Sequence, residues 1–247
     1  MGRAHEVRAA SMAKTAAMKS KLYSRYGKEL YIAAKAGVPD PEMNLGLKRK
    51  IAEAKANQVP ADVIKRAIEK AKGGSTETYN TIMYEGFGPK DATILVECMT
   101  DNPNRSIADV RTCFNKSHAK LGVGGSVSFN YESVGLVAFA APAEDEEKIL
   151  EALIMAECDA KEIEMEEGFC TITTVPGDLY KCKEAIDELY PEVEYSTLEL
   201  TMLPNEYTTL TDAEDLELWN RLLTMLDDVD DVQDLFHNIV GLENEEE

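Results

Sequence analysis

Apolar residues recur along this chain at two different periods, and the change of period divides it. From Met18 to about Gly74 the period is helical. Leu22, Tyr26, Leu30 and Ala33 gather on one side of a first wheel, and Leu47, Ile51 and Ala54 on one side of a second. Val63, Ile64, Ala67, Ile68 and Ala71 give the apolar side of a third. Gly37, Pro39 and Pro41 separate the first two segments, Asn44 suits an N-cap, and Asn57 to Pro60 makes the next turn. Gly73-Gly74 stops the third segment, because glycine takes the backbone angles of a helix end without a steric cost. A helical domain over residues 1–74 is therefore expected, with Met1 to about Ala17 as a mobile arm or frayed helix.

Beyond a small-residue linker at Ser75 to Asn80 the alternation shortens to two. Gly86, Gly88 and Pro89 punctuate a turn, after which Ala92, Ile94, Val96 and Cys98 alternate with Thr93, Leu95, Glu97 and Met99 as a strand. Asp101 to Asn104 ends it. Ser106 with Asp109 forms a capping-box pattern, and Ile107, Val110 and Phe114 recur on one side of the following helix. Gly122, Gly124 and Gly125 then predict a return into a strand at Ser126 to Phe129. Val134 to Ala141 predicts a further strand, Ile149 to Ile154 a helix, and the alternations either side of Glu167-Gly168 a hairpin. A helix over Leu179 to Leu189 and a strand over Val193 to Leu200 complete β-α-β-β-α-β, the order of a ferredoxin-like module. Leu216, Trp219, Leu222, Leu223 and Leu226 predict a last helix, and Val232 to Ile239 a last strand. These complete the sheet begun by the central stretch. The expected organisation is a discontinuous α/β domain, 75–133 plus 204–241, interrupted by a ferredoxin-like insert at 134–203 and followed by an acidic tail at 242–247.

Charge sharpens this division. The chain of 247 residues carries a net charge of -20, yet residues 1–75 hold 16 Lys or Arg against 7 Asp or Glu, a balance of +9, leaving -29 for the rest. A basic module joined to acidic ones can hold a polyanion at one end while the remainder repels non-specific wrapping. Lys21, Arg25, Lys28 and Lys35 form a ridge on the first helix. Lys48, Arg49, Lys50 and Lys55 flank the second, and Lys65, Arg66, Lys70 and Lys72 the third. Such cations would position a phosphate backbone without reading its sequence.

Catalytic chemistry finds no comparable pattern. The histidines, His5, His118 and His237, are far apart, and no GxSxG or HExxH arrangement accompanies them. The glycines at 122–125 lack the GxxxxGK[ST] spacing of a phosphate loop, and Asp227 to Asp231 lacks the glycine and later ligands of a calcium loop. Cys98, Cys113, Cys158, Cys170 and Cys182 show no paired spacing, which argues against disulfide or zinc scaffolds. No catalytic residue, metal or cofactor is expected. No apolar span approaches twenty residues and no secretory leader is visible, so the expectation is a cytoplasmic protein, mainly monomeric, without membrane association.

Four stretches together resemble the YebC/TACO1 family of probable transcriptional regulatory proteins and translation factors. They are PDPEMNLGLKRKIAEAKANQVPADVIKRAIEKAKGG from Pro39, YEGFGP from Tyr84, TDNPNRSIADVRTCFNKSHAKLGVGGSVSFNYE from Thr100 and LDDVDDVQDLFHN from Leu226. The resemblance implies an α+β, three-domain YebC-like fold: an N-terminal three-helix bundle, a discontinuous α/β domain and an inserted ferredoxin-like domain. It implies nucleic-acid binding through Lys48, Arg49, Lys50, Lys55, Lys65, Arg66 and Lys72, and it aligns Arg105, Arg111 and Lys116 with the family's central basic helix. The opening, MGRAHEVRAASMAKTAAMKSKLYSRYGKEL, lacks the Trp of the common family beginning and is similar to a variant branch. Three readings follow: a DNA-binding transcriptional regulator engaging transcription machinery, a ribosomal-RNA-associated translation factor, or a protein-interaction adaptor.

Overall fold

The computed structural model describes residues 19–73, 78–166 and 168–241, with side chains from residue 22 onward. The expected basic arm, His5, the side chain of Lys21, part of the linker and the acidic tail lie outside these residues.

The N-terminal helices are α1 (Lys19–Lys35), α2 (Leu45–Ala56) and α3 (Ala61–Lys72). Tyr26, Leu30, Tyr31 and Ala34 from α1 are buried, as are Leu47 and Ala54 from α2 and Ile64, Ala67 and Ala71 from α3. Helices of 12 residues, as α2 and α3 are, are marginal alone, so the apolar seam shared with α1 is what keeps them folded. Asn44 secures two of them at once. Its Oδ1 accepts from the Leu47 N–H at 3.0 Å, capping α2, while its Nδ2 donates to the carbonyls of Ala33 and Val38 beyond the core of α1.

The sheet module begins with β1 (Asn80–Phe87) and β2 (Thr93–Thr100), an antiparallel pair running from Asn80 opposite Thr100 to Phe87 opposite Thr93. Helix α4 (Pro103–Lys116) follows, then the two-residue β3 (Lys120–Leu121) on the far edge of β1. The chain leaves through β4 (Tyr131–Ala140) into α5 (Glu146–Met155), the hairpin β5 (Ala160–Glu166) and β6 (Phe169–Thr174), α6 (Leu179–Leu189) and β7 (Tyr195–Pro204). It returns with α7 (Ala213–Asp227) and β8 (Val232–His237), which pairs antiparallel with β2. The first sheet thus has the order β3-β1-β2-β8 and the second β5-β6-β4-β7, the ferredoxin-like arrangement. Two compact units result: the helices up to Gly73 with Ser133–Leu203, and the residues up to Glu132 with the chain from Pro204.

Several local expectations are corrected. Residues 80–87 form the unexpected strand β1, with Gly86 inside it, and the expected turn begins only at Gly88 and Pro89. Gly86 and Gly88 are needed for space: a Cβ on Gly86 would overlap the Phe114 ring of α4, and one on Gly88 the Trp219 ring of α7. Helix α4 is capped by Asn102 with Pro103 in its first turn, while Ser106 is buried inside it. Ser126 to Phe129 is not a strand; Ser128–Asn130 is a 3₁₀ turn, and the next strand starts at Tyr131. The cause is Glu85. Its buried carboxylate accepts from the backbone N–H groups of Gly125 at 2.7 Å, Val127 at 2.6 Å and Ser128 at 2.9 Å, and this curls the chain around it. Burial alone would raise the Glu85 pKa, but those three donors hold it below the ordinary carboxylate range.

Asp231 performs the matching task at the other end of the module. Its carboxylate accepts from Thr100 Oγ1 at 3.0 Å, Ser106 Oγ at 2.7 Å and Arg105 Nη2 at 2.8 Å, and its carbonyl accepts from the Met99 N–H. Burial opposes its charge; the hydrogen bonds from Arg105, Ser106 and Thr100 outweigh it and lower the pKa.

A methyl group added at Gly88 (G88A) is expected to destabilise the sheet module by about 1–3 kcal/mol in equilibrium denaturation, the usual cost of overpacking. The same change at Gly124, where a Cβ meets nothing within 4 Å, is expected to stay within about 1 kcal/mol. Because the folded pKa values of Glu85 and Asp231 are depressed, their contribution is complete above the unfolded carboxylate value of about 4 and is lost as pH falls through the folded values. Denaturation midpoints measured downward from pH 6 are expected to drop below about pH 4, and Asp231→Asn is expected to flatten that drop.

Candidate nucleic-acid interface

The cations expected to bind nucleic acid separate into an inner and an outer set. Arg25 and Lys50 are inner. Arg25 Nε lies 2.8 Å from Glu29, and Lys50 Nζ reaches Glu29 at 3.0 Å and Glu53 at 2.9 Å. Glu53 is buried and also accepts from the hydroxyls of Tyr26 and of Tyr180 on α6, each at 3.4 Å. Asn57 Nδ2 donates to Tyr26 Oη at 2.8 Å, closing the network at the end of α2. Burial would raise the Glu29 pKa, yet Arg25 and Lys50 bring it below its ordinary value; burial would lower that of Lys50, yet Glu29 and Glu53 bring it up. These charges hold α1, α2 and α6 together. Lys28 is half-buried on α1.

Lys48, Arg49 and Lys55 on α2, and Lys65, Arg66 and Lys72 on α3, are exposed. Arg49 lies over the Tyr180 ring, 4.8 Å from its centroid, which holds the guanidinium in place while leaving its edge to solvent. Lys48 faces Glu42 at 3.8 Å, Lys65 faces Glu69 at 3.9 Å, and Arg66 meets Asp62 at 2.6 Å. Both partners are well exposed in each pair, so these contacts are weak and exchangeable for a phosphate.

Arg105, Arg111 and Lys116 stand on α4 in the sheet module, and they differ. Arg105 is engaged by Asp231 and Asp101, whose hydrogen bonds push its pKa up. Beside it lies a cleft of about 310 Å³ lined also by Asp109, Asp228 and Asp230, a setting that disfavours phosphate. Arg111 and Lys116 are exposed.

Residues 3–74 match the TACO1/YebC protein N-terminal domain, and residues 79–239 match the TACO1/YebC second and third domain. The chain belongs to the TACO1/YebC family. A "Probable transcriptional regulatory protein" of Alcanivorax borkumensis is 46% identical over 239 residues, 97% of this chain and 99% of that protein. One of the same description from Acholeplasma laidlawii is 48% identical over 241 residues, covering 98% and 99% respectively. Among solved structures, the conserved hypothetical protein Aq1575 of Aquifex aeolicus shares 33% identity, a TM-score of 0.75 and 92% of each chain.

Within this TACO1/YebC fold the inner charge network was only partly visible beforehand. The i,i+4 spacing of Arg25 and Glu29 and the i,i+3 spacing of Lys50 and Glu53 are legible in the sequence, whereas Tyr180 lies 127 residues from Glu53. Also missed were Val38, Met43 and Leu45, which leave large apolar surfaces exposed where α1 passes into α2. No group of three or more His, Cys, Asp or Glu among the described residues could hold a metal ion, and no helix among them is long and apolar enough to cross a membrane.

Replacing Lys50 with Gln is expected to destabilise the helical bundle by roughly 1–3 kcal/mol, since Glu29 and Glu53 lose their shared donor. Arg66→Gln is expected to stay within about 0.5 kcal/mol. Chemical denaturation followed by circular dichroism separates the two.

Proposed function

We propose that this protein is a non-enzymatic, nucleic-acid-binding regulator of gene expression that seats a phosphate backbone on the outer faces of α2 and α3. The observation carrying this is the sorting of charge in the bundle. Arg25 and Lys50 are spent internally on Glu29 and Glu53, while Lys48, Arg49, Lys55, Lys65, Arg66 and Lys72 face solvent in a chain whose net charge is -20. Solubility does not require cations concentrated against the sign of the whole molecule; a polyanionic partner does. The relatives' description as probable transcriptional regulatory proteins supports DNA as that partner. Phosphate contacts are shared between nucleic acids, so duplex DNA and structured ribosomal RNA are the two arms of the test. The ferredoxin-like module, acidic and so repelled by a phosphate backbone, is the part that engages the machinery of gene expression.

The test is binding by the full chain, compared with a variant in which Lys48, Arg49, Lys55, Lys65, Arg66 and Lys72 are all Gln. Affinity is expected to fall by about 100-fold or more near physiological salt. The slope of log K against log salt is expected to lose about 0.9 for each phosphate contact removed from duplex DNA. Unchanged affinity and slope, with the circular dichroism spectrum intact, would contradict the proposal. The arm in which the parent chain binds more tightly identifies the partner.

A further inference from the structure

The sheet module carries a second feature that the bundle's phosphate contacts do not use. Residues 110–131 include Arg111, Lys116, His118 and Lys120 and contain no Asp or Glu, although residues 76–247 together carry -29. Lys116, His118 and Lys120 are exposed. Lys120 sits on the edge strand β3 opposite Phe87, and the chain then enters the loop gathered around Glu85. The Gly122 N–H donates to the Glu85 carbonyl at 2.8 Å, so side chain and backbone of one residue pin the loop at several points. Its far end is tied to Asn205, whose N–H donates to the Asn130 carbonyl at 2.8 Å and whose Nδ2 reaches the Phe129 carbonyl at 3.4 Å.

This well-anchored loop presents apolar side chains to solvent. Val123 is 77% exposed and Phe129 is 70% exposed. Between them, Gly124 and Gly125 have no atom within 4 Å of where a Cβ would stand, so the surface is open to a planar ligand. A ring this exposed buries little area in the fold, so its face is open to a ligand. The amides of Gly125, Val127 and Ser128 are already filled by Glu85, which removes the loop as a phosphate nest. What remains is a stacking surface with cations beside it in sequence and on the adjoining strand. That combination fits single-stranded nucleic acid: bases stack on the ring while lysines meet the backbone.

We infer that the loop from Gly122 to Phe129, with Lys116, His118 and Lys120, is a contact site for single-stranded nucleic acid, Phe129 stacking on an unpaired base. The inference rests on the proposed nucleic-acid function but places a separate contact in the sheet module. Anchoring by Glu85 means that little loop entropy is lost on binding. Duplexes bury their base faces and cannot use Phe129, so the site distinguishes unpaired from paired strands. Glu132 follows the loop in sequence and Glu206 follows Asn205, which is hydrogen-bonded to it, so stacking carries more of the affinity here than charge does.

The test uses the full chain with labelled single-stranded RNA, single-stranded DNA and duplex DNA. Phe129→Leu keeps an apolar side chain but removes the aromatic face. It is expected to weaken binding of the unpaired strands by about tenfold while leaving duplex binding within about twofold. The preferred unpaired strand identifies RNA or DNA as the source. Ultraviolet crosslinking of the unaltered chain to the same strands is expected to label the peptide containing Phe129, and does not depend on how a variant folds. Single-strand binding by Phe129→Leu equal to that of the parent overturns the inference, as does labelling confined to the bundle. If the six-residue bundle variant still loses duplex binding in that case, the proposed function stands and only this site falls. If the parent binds none of these strands, this site falls, and if it also fails to bind structured ribosomal RNA, the proposed function falls with it.

Discussion

The sheet module depends on a buried carboxylate that joins two parts of the chain more than a hundred residues apart. Asp231 accepts from Arg105 and Ser106, 126 and 125 residues earlier, and from Thr100, 131 residues earlier. Between them the chain leaves the module, builds the ferredoxin-like insert and comes back. Closing so long a loop costs entropy, although that cost grows only slowly with length. The return is held by the β2–β8 pairing, by Asp231 at one end of β2 and by Asn238 at the other, where its Oδ1 accepts from the Thr93 N–H at 2.8 Å. Trp219, Phe114 and Val232 then share one core. Leaving Asp231 unpaired would expose that closure to the full penalty of a buried charge.

The same physical rule, that buried charges must be paired, sorts the basic residues by task. Where Arg and Lys meet buried carboxylates they are structural: Arg25 and Lys50 on Glu29 and Glu53, and Arg105 on Asp231. Where Lys48, Lys65 and Arg66 face solvent, their carboxylate partners are exposed as well, and Arg49 lies on the Tyr180 ring instead of a carboxylate. Composition alone cannot make this separation, because all of these residues count equally toward the net charge. The loop around Glu85 extends the logic to a carboxylate. By satisfying three backbone donors, Glu85 fixes a turn that would otherwise be an anion nest and leaves Phe129 facing outward.

Periodicity carried most of the architecture. The helical stripes of Leu47, Ala54, Ile64 and Ala67 and the hairpin around Gly168 reappear in place, and the β-α-β-β-α-β order sets the strand order of the insert. What the sequence could not display were contacts between distant residues. The roles of Gly86 and Gly88 depend on Phe114 and Trp219, Ser126 to Phe129 is curled by a carboxylate 40 to 43 residues earlier, and Ser106 serves Asp231 rather than a helix cap. The candidate interface was legible as charge. Its division into inner and outer cations was not, since the partners of Lys50 include a network that reaches Tyr180.

Crosslinking in intact cells, with both the captured nucleic acid and the attached peptide sequenced, tests the central claim that the outward cations of the bundle hold a polyanion. The account predicts enrichment of DNA or ribosomal RNA attached to peptides from α2 and α3, around Lys48 to Lys55 and Lys65 to Lys72. Recovery of protein crosslinks alone, with neither nucleic acid enriched, would contradict it.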